Sequence, residues 1–254
     1  MDIRMSDHKI EKQQGPMYVA EIWRYPVKSL AGERLDTAEL RQDGIPGDRR
    51  VLVFDVQTRR LITSRTHPNL LGLKATLSPY GEALINGKPW DDLESARAIM
   101  LAAGPSARLI SWDGLERFDV LPLLVATDGA IEAFGYDHRR LRPNIVIGGV
   151  QGLAEREWPG RRARIGEAVI GFAKLRGRCV MTTYDPDTLT QDYRVLRHIV
   201  REFEGTIALD TAVIQGGHVA VGDPVEFVEE EEDSVPPADP EQNADPGRAQ
   251  QNGI

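Results

Sequence analysis

Short apolar runs, the first of which alternates with polar residues, dominate the chain, and such runs predict β-strands. Residues 17–27, MYVAEIWRYPV, alternate in this way and contain the β-branched and aromatic residues that are common in strands. The turn Asn86-Gly87 predicts a hairpin, because both residues tolerate positive φ angles, and Gly216-Gly217 predicts a second turn. Further strands are predicted at 51–56, 72–78, 82–90, 107–112, 122–127, 144–149, 168–174, 206–214 and 218–228.

Two short helices are predicted, and the second of them shows helical spacing of its apolar residues. Residues 128–136 predict a short helix with Thr127 or Asp128 as the N-cap, and residues 193–204 predict another after Asp192. The stretch 91–106 has loop character at both ends. The chain therefore predicts a mostly-β fold with a few short helices, forming a barrel or a curled sheet.

Charge separates the end of the chain from its body. The last segment, 229–254, holds eight acidic residues and one basic residue, so it carries most of the net charge of −8. It contains little that could be buried and is predicted to be a disordered acidic tail. The other predicted segments are a flexible N-terminus at 1–16, an N-terminal β-rich subdomain at 17–115 and a second domain at 116–228.

Composition excludes several classes of protein. No run of 18 apolar residues is present, so no membrane span is predicted. The first 16 residues lack the apolar core of a signal peptide, and a cytoplasmic location is expected. Aromatic residues make up 6% and do not interleave with basic ones, so no nucleic-acid surface is predicted. One cysteine excludes an internal disulfide and an iron–sulfur cluster held within this chain.

That cysteine, Cys179, is the first candidate for chemistry. A lone cysteine is usually a small buried hydrophobe. Here Arg176 and Arg178 favour a thiolate, Gly177 lets backbone amides approach a ligand, and the polar Thr182 follows. The thiolate could be a nucleophile or a soft metal ligand. None of the five histidines has a recognisable cysteine-hydrolase context, and one cysteine cannot build a zinc site unaided. A cofactor that brings its own sulfur ligands would need only this one.

Basic and polar residues in short islands between strands form the second candidate site. Most lysines and arginines are solvated surface charges. These residues, however, lie close to predicted strands, and Pro26 and Pro143 restrict the backbone of the residues next to them. We expect several of them to form an anion pocket: Lys28, Ser29, Arg49, Arg50, Arg65, Arg142 and Asn144.

The motifs taken together resemble the MOSC family, named after the C-terminal part of molybdenum cofactor sulfurases. They are YPVKS, GDRR, RPNIVI, RCVMTTYDPDT and VAVGDPV, and they run from about Tyr18 to Phe227. Their order is most similar to the mitochondrial amidoxime-reducing component and its bacterial relatives. The resemblance implies a MOSC β-barrel-like domain with an N-terminal β-rich subdomain, and it implies the molybdenum cofactor.

The resemblance also implies roles for residues. Cys179 would bind molybdenum and be the catalytic residue. The residues carried over as cofactor-binding are Lys28, Ser29, Arg49, Thr127, Arg142 and Asn144, and we add Arg65 and Arg178 from their positions in the sequence.

The implied function is an oxidoreductase that removes oxygen from a small N-hydroxylated substrate at molybdenum, with electrons from a separate donor protein. One alternative is a carrier of cofactor, or of sulfur on Cys179, without turnover, and another is a metal-free thiol enzyme. The chain departs from the family at Leu189, where glycine is common, and at Arg176-Gly177, where a small or polar pair is common. The stretch from Arg49 to Thr127 is also shorter than in the mitochondrial enzymes.

Overall fold

The structure is a computed structural model that describes residues 15–228. The predicted acidic tail at 229–254 and residues 1–14 of the predicted flexible N-terminus lie outside the described residues. The strands are β1 (Tyr18–Arg24), β2 (Glu33–Leu35), β3 (Thr37–Leu40), β4 (Val51–Asp55), β5 (Arg60–Ile62), β6 (Ala75–Leu77), β7 (Ala83–Ile85), β8 (Lys88–Pro89), β9 (Ala107–Ser111), β10 (Leu123–Thr127), β11 (Ile145–Gly148), β12 (Arg162–Ile165), β13 (Ala168–Gly177), β14 (Thr206–Gln215), β15 (Gly217–Ala220) and β16 (Val225–Val228). The α-helices are α1 (Leu93–Ala103), α2 (Asp128–Phe134) and α3 (Tyr193–Glu202), and 3-10 helices occupy Pro68–Gly72, Leu115–Arg117, His138–Arg140, Ala154–Glu157 and Val180–Thr183.

An eight-stranded sheet forms the larger part of the fold, in the order β16-β12-β13-β14-β10-β11-β1-β2. Neighbouring strands are antiparallel except β10 and β11, which are parallel. A single bridge between Tyr18 and Pro224 brings the start of β1 beside the residues that precede β16. The sheet therefore curls toward closure without forming a closed barrel, and the prediction of a mostly-β, barrel-like fold is confirmed.

The main core lies inside this curled sheet, because alternate residues of each strand point inward. Val19 and Ile22 of β1 pack there with Ile145 and Ile147 of β11. β1 and β2 thus add two strands from the first segment to the sheet of the second. The division near residue 115 stays a prediction about domains, although the sheet itself crosses it.

A second core lies among two three-stranded sheets, β5-β4-β9 and β6-β7-β8, and helix α1. The predicted hairpin turn is confirmed, since Asn86 and Gly87 have φ angles of 50° and 83° between β7 and β8. The stretch 91–106, which has loop character at both ends, contains helix α1 (Leu93–Ala103), which the sequence analysis did not predict. The buried face of α1 consists of Ser95, Ile99 and Ala103, so the two small residues gave little apolar periodicity.

Helices α2 and α3 pack together in a third core beside the large sheet. Both predicted caps are confirmed: Thr127 accepts a hydrogen bond from the Ala130 amide, and Asp192 accepts one from the Arg194 amide. None of the helices within residues 15–228 is long and apolar enough to span a bilayer.

Candidate functional site at Cys179

Cys179 lies two residues beyond β13, at the start of the 3-10 helix Val180–Thr183. Its backbone is extended, and its side chain is partly exposed. The hydroxyl of Thr182 donates to the Cys179 carbonyl at 2.9 Å, and that of Thr183 donates to the Val180 carbonyl at 2.6 Å. The two threonines therefore shape the turn that presents the thiol.

The thiol borders a cleft with about 850 Å³ of open space, including the part that opens to solvent. In the described part of the chain, seven lysine or arginine side chains line this cleft against a single acid, Asp119. The predicted site residues that line it are Lys28, Ser29, Arg49, Arg65, Arg142, Asn144, Arg178 and Cys179. The excess of positive charge is what an anionic ligand requires.

Three of these cleft residues adopt the left-handed backbone conformation. Ser29, Arg49 and Arg142 have φ angles of 74°, 54° and 60°. Residues other than glycine seldom adopt this conformation, and strained backbone of this kind tends to occur at functional sites. Each of the three lies in one of the polar islands that the sequence had singled out.

Arg142 and Arg178 are the two cleft cations whose pKa burial clearly lowers. Burial lowers the pKa of each to about 10, and repulsion adds to this effect from Arg49 on Arg142 and from Arg176 on Arg178. Arg178 donates to the Leu141 carbonyl at 2.8 Å, while its Nε is buried without a partner. An anion in the cleft would relieve the cost of holding these charges away from water.

Asp48 connects Arg49 and Asn144 below the cleft floor. Its buried carboxylate forms an ion pair with Arg49, accepts from the Tyr25 amide at 2.6 Å and accepts from the Asn144 amide group at 3.3 Å. Asn144 also donates to the Trp23 carbonyl and accepts from the Leu124 amide, both at 3.2 Å. The side-chain amide of Asn144 therefore joins β1 to β10 through hydrogen bonds, although Asn144 also lines the cleft.

Two further arginines that line the cleft were not assigned from the sequence. Arg176 forms an ion pair with Asp210, whose side chain is buried and whose Oδ2 has no partner. Arg140 forms an ion pair with Asp185 at 2.9 Å. Arg176 had been considered only for its effect on the thiol, and the sequence gives no sign that a residue 34 positions away holds it.

Arg117 is a buried residue that the sequence analysis missed. It donates to the carbonyls of Asp113 and Asp43 at 2.7 and 2.9 Å, and to the Asp43 carboxylate at 2.8 Å. Its own carbonyl accepts from Lys28 Nζ at 2.8 Å. Arg117 thus fixes the segment that borders the cleft, but a single arginine in an irregular stretch carries no periodic signal.

Thr127 is the predicted cofactor residue that does not line the cleft. It is completely buried, and its hydroxyl accepts from the Ala130 amide and donates to Glu155 at 3.2 Å. The hydroxyl is therefore committed to capping α2. The geometry gives no support to its assignment as a phosphate contact.

Family models match two parts of the chain. The model described as the MOSC N-terminal beta barrel domain matches residues 16–98, and that of the MOSC domain matches residues 127–226. Together the two matches cover most of the chain and contain most of the cleft residues. Arg117 and Asp119 lie between them.

The solved structures that match this chain are distant in sequence. They include the YuaD protein from Bacillus subtilis, at 16% identity and a TM-score of 0.44, covering 83% of this chain and 95% of that one. YiiM from Escherichia coli is 15% identical with a TM-score of 0.39, covering 81% and 70%. A search of curated proteins by sequence gives no match. The two domain matches, found in the order that the motifs predicted, show that the chain belongs to the MOSC family.

Proposed function

We propose that this protein binds the molybdenum cofactor through Cys179 and reduces small N-hydroxylated substrates. MOSC domains are associated with binding of this cofactor. The observation that carries the proposal is that the only cysteine of the chain borders a cleft lined by seven cations and one acid. The electrons would come from a separate donor protein.

The residues present fit such a group. The molybdenum cofactor brings two sulfur ligands and a phosphate, so it needs one thiolate and a cationic cradle from the protein. Within residues 15–228, no group of three His, Cys, Asp or Glu is placed to hold a metal ion, so a metal on Cys179 would take further ligands from a bound molecule. The unpartnered Nε of Arg178 is a buried donor that an anion could satisfy.

Each part of the cleft has a separate task in this proposal. Cys179 supplies the thiolate ligand, and the partly buried Arg142 and Arg178 bind the anionic end of the cofactor with charge-assisted hydrogen bonds. Lys28 and Arg65 reach the cleft from the N-terminal segment. The cofactor, when bound, supplies the redox chemistry that removes oxygen from an N–O group, and the protein supplies its orientation and electrostatic environment.

The decisive experiment measures the metal content of protein made in cells that synthesise the cofactor. We expect about one molybdenum per chain in the wild type and little in Cys179→Ala. The matched control is Met181→Leu, because Met181 lines the same cleft without a charge and should leave the metal content unchanged. Well-folded wild-type protein without molybdenum would contradict the proposal.

Turnover is tested on the same loaded protein with a chemical reductant and an N-hydroxylated amidine. Reduction by the wild type, lost in Cys179→Ala and kept in Met181→Leu, supports an oxidoreductase. Full molybdenum content without any turnover would instead favour a carrier of cofactor or sulfur, which uses the same cleft without the reaction.

A further inference from the structure

Among residues 15–228, Asp119 is the only acid that lines the cleft, and it contacts two of the cleft cations. Its Oδ1 lies 2.9 Å from Lys28 Nζ, and its Oδ2 lies 2.7 Å from Arg65 Nη2. Each carboxylate oxygen thus binds one cation. About one third of the side chain of Asp119 is exposed, so the carboxylate lies at the open side of the cleft.

The charge of Asp119 affects more cleft residues than the two that it contacts. Burial raises the pKa of Asp119, but Lys28, Arg65 and Arg176 together outweigh this and hold the pKa below its ordinary value. In return, the carboxylate opposes the lowering of the pKa of Arg142 and Arg178. The charge of Asp119 therefore acts on cleft cations beyond Lys28 and Arg65, the two that it contacts.

We propose that Asp119 is an internal counter-ion that occupies, between Lys28 and Arg65, the place of an anionic group of the phosphate class, and that the ligand displaces it. A phosphate offers more oxygens and more charge than one carboxylate, so it satisfies more of the surrounding cations. Asp119 is then a competitor of the ligand, and its removal strengthens binding.

The surrounding structure allows Asp119 to move without disturbing the cleft. Arg117, two residues before Asp119, is 1% exposed and donates hydrogen bonds to several backbone carbonyls. The chain is therefore anchored close to Asp119. Asp119 itself has a partly exposed side chain and can leave the cations by rotation about its side-chain bonds. Lys28 keeps its bond to the Arg117 carbonyl when the carboxylate leaves.

The test is calorimetric titration of cofactor-free protein with inorganic phosphate. We expect Asp119→Asn to bind phosphate about tenfold more tightly than the wild type, because a competing negative charge is removed. The gain should disappear in the double variant Asp119→Asn with Lys28→Gln. The matched control is Asp187→Asn, since Asp187 pairs with Arg139, is 68% exposed and does not line the cleft.

The opposite result has a clear meaning. If Asp119→Asn binds phosphate as weakly as the wild type or more weakly, Asp119 orients the two cations and does not compete, and the proposal is overturned. Absence of saturable binding in every variant overturns it as well. Asp119→Ala serves as a second variant, and circular dichroism checks that each protein is folded.

A second arm identifies which molecule supplies the phosphate group, and only this arm rests on the proposed function. Phosphate is titrated into molybdenum-loaded Asp119→Asn. Loss of phosphate binding on loading means that the cofactor fills the place of Asp119, whereas unchanged binding assigns it to an anionic substrate. Either result keeps the counter-ion role. Failure to load molybdenum would count against the proposed function alone, because the first arm uses no cofactor.

Discussion

The guanidinium of Arg142 lies over the ring of Tyr25, with its central carbon 4.2 Å from the ring centroid. The hydroxyl of the same tyrosine donates to the Pro143 carbonyl at 3.0 Å. Tyr25, at the end of β1, therefore holds the turn before β11 at two adjacent points. Tyr25 thus helps to fix Arg142, a cleft cation with a left-handed backbone conformation, although the two residues are distant in sequence.

The first prediction concerns the charge of Arg142. We expect Arg142→Asn to bind phosphate roughly 10- to 100-fold more weakly than the wild type, because a charge-assisted hydrogen bond in a buried site is lost. Asparagine is chosen because it tolerates the φ angle of 60° at this position. Titration calorimetry measures the change, and Arg194→Asn, at a 78% exposed side chain, is the control. Equal weakening in both variants would point to a general charge effect.

The second prediction concerns alkaline pH. Burial raises the pKa of Tyr25 from 10.0 to about 12, with Arg142 and Arg49 opposing the shift. The folded state holds the proton more tightly than the unfolded state, so the stabilisation is complete below pH 10 and is lost as the pH rises toward 12. The wild type should lose about 2 kcal/mol from this group over that range.

Tyr25→Phe isolates this contribution. At neutral pH it should be less stable than the wild type by about 1 kcal/mol, since the bond to Pro143 is lost. Above pH 10 the difference in free energy of unfolding should shrink and then reverse, because phenylalanine has no proton to lose. Urea unfolding at pH 8, 10 and 11 measures the trend. A constant difference between the two proteins across these pH values would show that Tyr25 titrates normally.

The third prediction concerns Arg117. Replacement by leucine leaves several buried carbonyls without a donor, and we expect a loss of about 3–5 kcal/mol in the free energy of unfolding. Arg41→Leu is the control, since Arg41 forms a surface ion pair with Glu39 and its side chain is 59% exposed. The control should cost less than about 1 kcal/mol. A loss of similar size in both variants would mean that the bonds of Arg117 contribute little.

The fold was predictable where a local pattern specifies the structure. Alternation marked β1, short apolar runs marked β10 and β11, and the tolerance of Asn86 and Gly87 for positive φ marked a hairpin. Helix α1 was missed because its buried face contains small residues rather than a stripe of large ones. Strand order was not predictable either, since β1 pairs with β11 through contacts that no local pattern encodes.

The site was predictable to a similar degree. Residues beside strand ends, such as Lys28 and Arg142, were singled out by type and position, and both line the cleft with Cys179. The carboxylates that hold the cleft cations, Asp119 and Asp210, were not found, because an ion pair between distant segments leaves no trace in spacing. Thr127 presents a different difficulty. A hydroxyl at the N-terminus of a helix can either cap the helix or bind a phosphate, and the sequence does not distinguish these two roles.

The last prediction separates structure from ligand binding at Asn144. Its side chain makes hydrogen bonds with Trp23, Leu124 and Asp48, and it is 1% exposed. Asn144→Ala removes these three hydrogen bonds from buried and partly buried groups, so we expect a loss of about 2–4 kcal/mol in the free energy of unfolding. Asn69→Ala, at an exposed position, should change it by less than about 0.5 kcal/mol. Urea unfolding of cofactor-free protein measures both. If Asn144→Ala keeps its stability and loses only the ability to bind cofactor, Asn144 serves the ligand rather than the strands, as the family resemblance implies.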